Sequence, residues 1–229
     1  MNKKIHKSLS KWIEQAYEQD VSQDAEFNAF VEKLDDRILN TYFSWDQTKG
    51  DDGGYWTQQT SYEHRWTGQR LTEEIQAMDP DEKLTILDVG CGRNEFKERL
   101  GKRVTGIDPY NDLADICVSM EDYEQVEQSD MVFALGSINF GDKQTIYNQV
   151  QCVVNFCKPG GTIIIRANPG IQHDHIKAKW IDFFGWTEEI INEFAIASGC
   201  TVVETGWDHP TIDTVRWGNR YYSQWRKND

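Results

Sequence analysis

Two aspartates and two glycines carry most of the chemistry that can be read from this chain. Asp88 is followed at intervals of two by Gly90 and Gly92, and Asp108 stands about twenty residues further on. Glycines so spaced allow a tight turn and let the backbone approach a ligand with no Cβ in the way. An acid at the tip of a neighbouring strand can accept hydrogen bonds from both hydroxyls of a ribose. The set is suited to holding a nucleoside. The elements that must position it are legible on either side. Residues 84–89, LTILDV, form the near-continuous apolar run of a parallel strand buried on both faces. Asn94 suits the N-cap of a short helix with Phe96 and Leu100 on one face and Gly101 as its stop. A second strand over residues 104–107 ends in Asp108 and Pro109.

Two departures narrow the ligand. A dinucleotide fingerprint would place its third small residue at position 95, which is Glu95, a carboxylate facing the pyrophosphate. The turn also lacks the Gly-Lys-Ser/Thr end of a nucleotide triphosphate loop. Asp88, two residues before the first glycine, instead suits a cofactor with a cationic amino-acid tail. At this point the chain resembles the class I S-adenosylmethionine-dependent methyltransferases, whose first motif is an acid-x-Gly-x-Gly turn, here Asp88, Val89, Gly90, Cys91 and Gly92. That family often has a third glycine where this chain has Asn94, a residue that tolerates positive φ.

The resemblance spans roughly residues 70–226 and implies S-adenosyl-L-methionine as cofactor. It implies cofactor contacts from Asp88, Gly90, Cys91, Gly92 and Asn94, and from the ribose acid Asp108 with Pro109. Met120 and Glu121, after a short third strand at residues 116–119, take the place of the apolar contact and acid beside the adenine. Leu135, Gly136 and Ser137, after a fourth strand at residues 131–135, take that of the cofactor-facing loop. Lys158, Pro159, Gly160 and Gly161, before a strand at residues 162–166, match a helix stop and fifth strand that many members share.

Alternating strands and helices give an α/β, Rossmann-like doubly wound sheet. The resemblance adds seven strands in the order 3-2-1-4-5-7-6 with an antiparallel final hairpin. Between the strands, residues 70–78 read as a helix with Leu71, Ile75 and Met78 inward. Asp142 caps a helix over residues 143–157 with an apolar stripe of Ile146, Tyr147, Val150, Val153, Val154 and Cys157. Thr187 caps another, with Ile190, Ile191, Phe194 and Ala197 inward and Gly199 as its stop; residues 201–204 and 220–225 read as the last strands. Ahead of this domain, residues 1–69 form an extension: helical periodicity over residues 9–43, then a segment rich in aromatics, Tyr42 through Trp66, that reads equally as a lid or as a packing element. The methyltransferase domain is expected over residues 70–229.

At 229 residues the chain suits one such domain with its extension. A formal net charge of −14 repels nucleic acid on average, and Arg216, Arg220, Arg226 and Lys227 read as solvated edge charges. DNA base methylation also lacks its sequence marks: Gly136, Ser137, Ile138 and Asn139 stand where an Asn/Asp-Pro-Pro-aromatic motif would, and no Pro-Cys dipeptide occurs. Five cysteines without a CxxC pair read as small buried residues of a reducing cytosol. No apolar run approaches membrane-spanning length, and residues 1–10 lack a secretory signal. A cytoplasmic protein with a small-molecule methyl acceptor is the expectation.

Methyl transfer asks little of the protein beyond alignment and removal of a proton. The loop ANPGIQHDHIKAK, residues 167–179, offers His173 as a general base toward a hydroxyl, oriented by Asp174. His173 and His175 could instead ligate a metal, or simply belong to an exposed polar loop; His64 is a second candidate base, and no metal is expected. The reading is a methyltransferase acting on an oxygen or nitrogen. Its alternative is a catalytically silent cofactor-binding fold serving as an assembly or regulatory subunit.

Overall fold

The computed structural model describes residues 68–92, 94–109, 111, 113–167, 169, 184–208 and 220–229, with Ala25 and Ala29. The expected N-terminal helices, the aromatic segment with His64, the His173 loop and Arg216 lie outside these residues.

Among the described residues eleven elements in chain order build a three-layer unit. They are helix α1 (Gly68–Met78), β1 (Ile86–Val89), α2 (Glu95–Leu100), a 3-10 turn (Gly101–Arg103), β2 (Val104–Ile107), β3 (Ser129–Ala134), α3 (Lys143–Phe156), β4 (Cys157–Ala167), α4 (Glu188–Ala197), β5 (Cys200–Trp207) and β6 (Tyr221–Lys227). Six strands form one sheet in the order β2-β1-β3-β4-β6-β5. β1 lies parallel between β2 and β3, β3 is parallel to β4, and β6 runs antiparallel between β4 and β5. Leu87, Val89, Val132, Ile163 and Ile165 face α3 and α4 on one side, where Trp186 and Trp225 are buried. Ile86, Met131, Phe133 and Ile164 face α1 and α2 on the other. β1 is buried at all four residues, as its apolar run requires of a central strand. Each of its aliphatic side chains stabilises the fold by roughly 1.5–3 kcal/mol.

The expected third strand does not form a ladder. Residues 116–119 contribute one parallel bridge, Ile107 to Ile116, on the side of β2 away from β1. The chain turns at residues 119–122, where the Ser119 hydroxyl donates to Asp122 and accepts from its N–H. Cys117 is exposed as a result, against the expectation that the cysteines are buried. β4 begins at Cys157, directly after α3, so that residues 158–161 are an excursion inside the strand. Ser129 pairs with Cys157 but Met131 with Thr162.

The caps agree with the sequence: Asp142 accepts from Thr145 N–H at 2.8 Å and Thr187 from Ile190 N–H at 3.3 Å. The helix ends depart from it. Met78 and Ala197, expected inward, are exposed on the last turns of α1 and α4. Lys227, expected to be solvated, turns inward from β6 and donates to the carbonyls of Val154 and Cys157 at 2.9 and 2.8 Å. It places a cation on the negative end of α3. Replacing it, Lys227→Met, should cost about 1–2 kcal/mol in urea denaturation, since two charged hydrogen bonds and a dipole contact are lost. An unchanged midpoint would show that the ammonium is no better placed there than in water.

Candidate active site

β1 delivers the glycine turn to the tip of β2. Gly90 N–H and Cys91 N–H both donate to the Ile107 carbonyl, at 2.8 and 3.0 Å, so the turn is clamped to the neighbouring strand. Gly90 and Gly92 have φ of 73° and 54°. At Gly90 a side chain is doubly barred, because a Cβ there would also collide with Ser137 Cβ. Gly92 N–H donates to Asp108 Oδ2 at 3.1 Å, and Asn111 N–H donates to Asp108 Oδ1 at 3.0 Å. Two backbone donors therefore aim the Asp108 carboxylate, which is buried.

Asp88 lies within β1, flanked in register by Gly106 and Phe133. Only 4 % of it is exposed, and no described residue donates a hydrogen bond to its carboxylate. Burial, with the Asp108 charge adding to it, raises its pKa from 3.8 to about 7. The two acids make the turn a strongly negative, poorly solvated place. Cys91 reports the same field: burial pushes its thiol up, and Asp88, Asp108 and Asp115 push it further, so it stays protonated and is no nucleophile.

The loop after β3 closes on the turn from the other side. Leu135 and Gly136 lead to Ser137, which packs against Gly90, and Ser137 Oγ is buried without a hydrogen-bond partner among the described residues. Asn139 Nδ2 donates to the Gly136 carbonyl at 2.8 Å, Phe184 N–H to the Asn139 carbonyl at 2.8 Å, and Trp186 Nε1 to the Ile138 carbonyl at 2.9 Å. The lead-in to α4 thus fixes this loop from behind. Sequence reading missed Trp186, although a tryptophan directly before a Thr cap was a visible signal.

The structure brings Asp88, Gly90, Cys91, Gly92, Asn94 and Asp108 together at the tips of β1 and β2, with Leu135, Gly136 and Ser137 beside them. Pro109 follows Asp108, and its carbonyl accepts from the Cys117 thiol at 3.5 Å. Met120 packs on the α3 side of the core, and the exposed Glu121 accepts from Gln149 Nε2 at 3.0 Å. Gln149 is a buried polar residue in the middle of the α3 apolar stripe, a break in the pattern that the sequence displayed. Asn94 does not cap α2 with its side chain as expected. It has φ 58° and ψ 36°, and Nδ2 points away from the helix to Leu113 O and Asp115 Oδ2, both at 3.2 Å. Among the described residues no group of three or more His, Cys, Asp or Glu could hold a metal ion, and no helix is long and apolar enough to cross a membrane.

Asp88 makes the stability of the ligand-free protein depend on pH. Between about pH 4 and about pH 7 the folded chain keeps a proton that the unfolded chain has released, so stability falls as pH rises through that window and levels off above it. Asp88→Asn should flatten this slope and be more stable than the parent above about pH 7. Urea denaturation of both proteins across the window checks this; parallel profiles would contradict it.

No family model matches the sequence, and no curated protein matches it. Solved structures do. Magnesium protoporphyrin IX methyltransferase (ChlM) from Synechocystis PCC 6803 with bound S-adenosylhomocysteine aligns with a TM-score of 0.60 at 14% identity, covering 85% of this chain and 100% of that one. The N-methyltransferase NodS from Bradyrhizobium japonicum WM9, also with S-adenosylhomocysteine, aligns with a TM-score of 0.57 at 15% identity, covering 83% and 100%. The cyclase SpnF aligns with a TM-score of 0.55 at 14% identity, covering 84% and 94%. At such identities the likeness speaks to architecture. This chain has the Rossmann-like α/β fold of the class I S-adenosylmethionine-dependent methyltransferases.

Proposed function

We propose that this chain binds S-adenosyl-L-methionine and transfers its methyl group to an oxygen or nitrogen of a small or medium-sized acceptor. The observation that carries the reading is the buried Asp88 carboxylate, which no described residue satisfies, two residues before a turn whose Gly92 N–H is tied to Asp108. An ionised carboxylate in such a place calls for a cation. The amino-acid end of this cofactor, with its ammonium and sulfonium, meets that need, and its ribose meets the acid that the turn already aims. Gly92 leaves open space where a side chain would stand. The donor set fits the cofactor.

Asp88, Gly90, Cys91, Gly92 and Asn94 would hold the amino-acid and ribose portions. Asp108 with Pro109 would take the ribose hydroxyls, Met120 and Glu121 the adenine, and Leu135, Gly136 and Ser137 the face toward the acceptor. The cofactor, when bound, supplies a methyl group already activated on sulfur. What remains to the chain is alignment of the acceptor and removal of its proton, for which His173 with Asp174 is the proposed base. An acceptor of small-molecule size accords with similar folds named for such substrates, magnesium protoporphyrin IX and 1,6-didemethyltoxoflavin. One observation favours a second reading. SpnF carries this fold and is named for cyclisation, so cofactor binding without methyl transfer is the alternative.

Calorimetric titration with S-adenosylhomocysteine should give saturable binding, and Asp108→Ala should weaken it about 10- to 150-fold, the equivalent of roughly 1.5–3 kcal/mol for hydrogen bonds to a charged group. Unchanged affinity would remove Asp108 from the site. Incubation with S-adenosylmethionine and fractionated small-molecule extract should release S-adenosylhomocysteine. Binding without any turnover would favour the second reading, and no binding by folded protein would overturn both.

A further inference from the structure

Asp115 was no candidate in the sequence, yet it ties together the glycine turn, β2 and α2. Its Oδ2 accepts from Gly106 N–H at 2.8 Å and from Asn94 Nδ2 at 3.2 Å, and its Oδ1 lies 3.3 Å from the Lys97 ammonium. Gly106 is in β2, two residues before Asp108. Asn94 ends the glycine turn, and Lys97 is in the first turn of α2. The same segment closes onto β2 through its backbone: Ile116 N–H donates to Gly106 O at 3.2 Å, Asp108 N–H to Ile116 O at 3.3 Å, and Asn111 N–H to the Asp108 carboxylate. With no third-strand ladder beside β2, the Asp115 side chain accepts an N–H that a neighbouring strand's carbonyl would otherwise take. Gly106 is glycine because a Cβ there would collide with Asn94 Oδ1 and the Cys91 sulfur, so the turn, the strand and this bridge interlock.

We infer that Asp115 is a positioning residue for nucleoside recognition: through Gly106 and Asn94 it sets the distance between the glycine turn and the Asp108 carboxylate, and so governs how well the ribose hydroxyls are read. The inference rests on the cofactor reading above. Asp115 reaches the nucleoside site only through Gly106 and Asn94. Its replacement should therefore act on one part of the ligand only.

The probes are S-adenosylhomocysteine and its 2′-deoxyribose counterpart, titrated into the full-length protein. The parent should bind the deoxy compound at least about tenfold more weakly. In Asp115→Ala, which removes the acceptor of both the Gly106 and the Asn94 bonds, that ratio should shrink toward one, S-adenosylhomocysteine losing more affinity than the deoxy compound, which has one ribose hydroxyl fewer to lose. Asn94→Gly tolerates the same positive φ and removes the Asn94 arm of the bridge, so it should narrow the ratio too and serves, with a parental ratio overturning the inference, if Asp115→Ala does not fold. Lys97→Met, which breaks the ion pair with Asp115 and the hydrogen bond to the Val104 carbonyl but leaves the Gly106 and Asn94 bonds to Asp115, should leave the ratio as in the parent. A full parental ratio in Asp115→Ala would overturn the inference while leaving the cofactor reading intact. A parent that binds neither compound would overturn both.

Discussion

Two carboxylates share one turn, and that constraint organises the rest of the molecule. A buried acid with no donor among the described residues loses hydration without compensation and responds by holding its proton, as Asp88 does with a pKa of about 7. A residue so costly in the ligand-free fold is understandable where a cation arrives to replace the lost water. Asp108 is treated differently. It is buried too, but the Gly92 and Asn111 N–H groups stabilise its charge and fix its direction. One acid is left in need of a partner and the other is aimed, both within reach of a backbone turn with no Cβ in the way.

The surrounding elements follow from holding that pair. β1 must be central, so it is buried on both faces, with α1 and α2 on one side and α3 and α4 on the other. Ser137 can approach Gly90 because the loop after β3 is fixed from behind by Asn139, Phe184 and Trp186. On the outer side, β2 has a single bridge beyond it among the described residues, and the Asp115 side chain, held by Asn94, does the work that a strand would do. The rigidity of the site is thus built from hydrogen bonds on its open flank and from packing on its closed one.

What was legible in the sequence is what is local. The β1 apolar run, the glycine turn, the distance to Asp108 and the Asp142 and Thr187 caps depend on neighbours a few residues away, and each stands as read. Asn94 was half legible: its tolerance of positive φ was used, but its side chain serves a partner twenty-one residues on rather than its own helix. Asp115, Gly106 and Gln149 were missed, and Lys227 reads in the sequence as a solvated charge, because their roles depend on contacts that only folding creates. The third strand was misjudged for a related reason. A short apolar stretch at residues 116–119 looks strand-like, but Ser119 closes a turn with Asp122 and ends the pairing after Ile116.

The central claim is that Asp88 awaits a cation, and the proton itself reports this most directly. Binding of S-adenosylmethionine should drive Asp88 to its charged form, so calorimetric titrations near pH 6.5 in buffers of different ionisation enthalpy should reveal net release of most of one proton, absent in Asp88→Asn. Binding with no proton exchange, or with uptake in both proteins, would contradict the account.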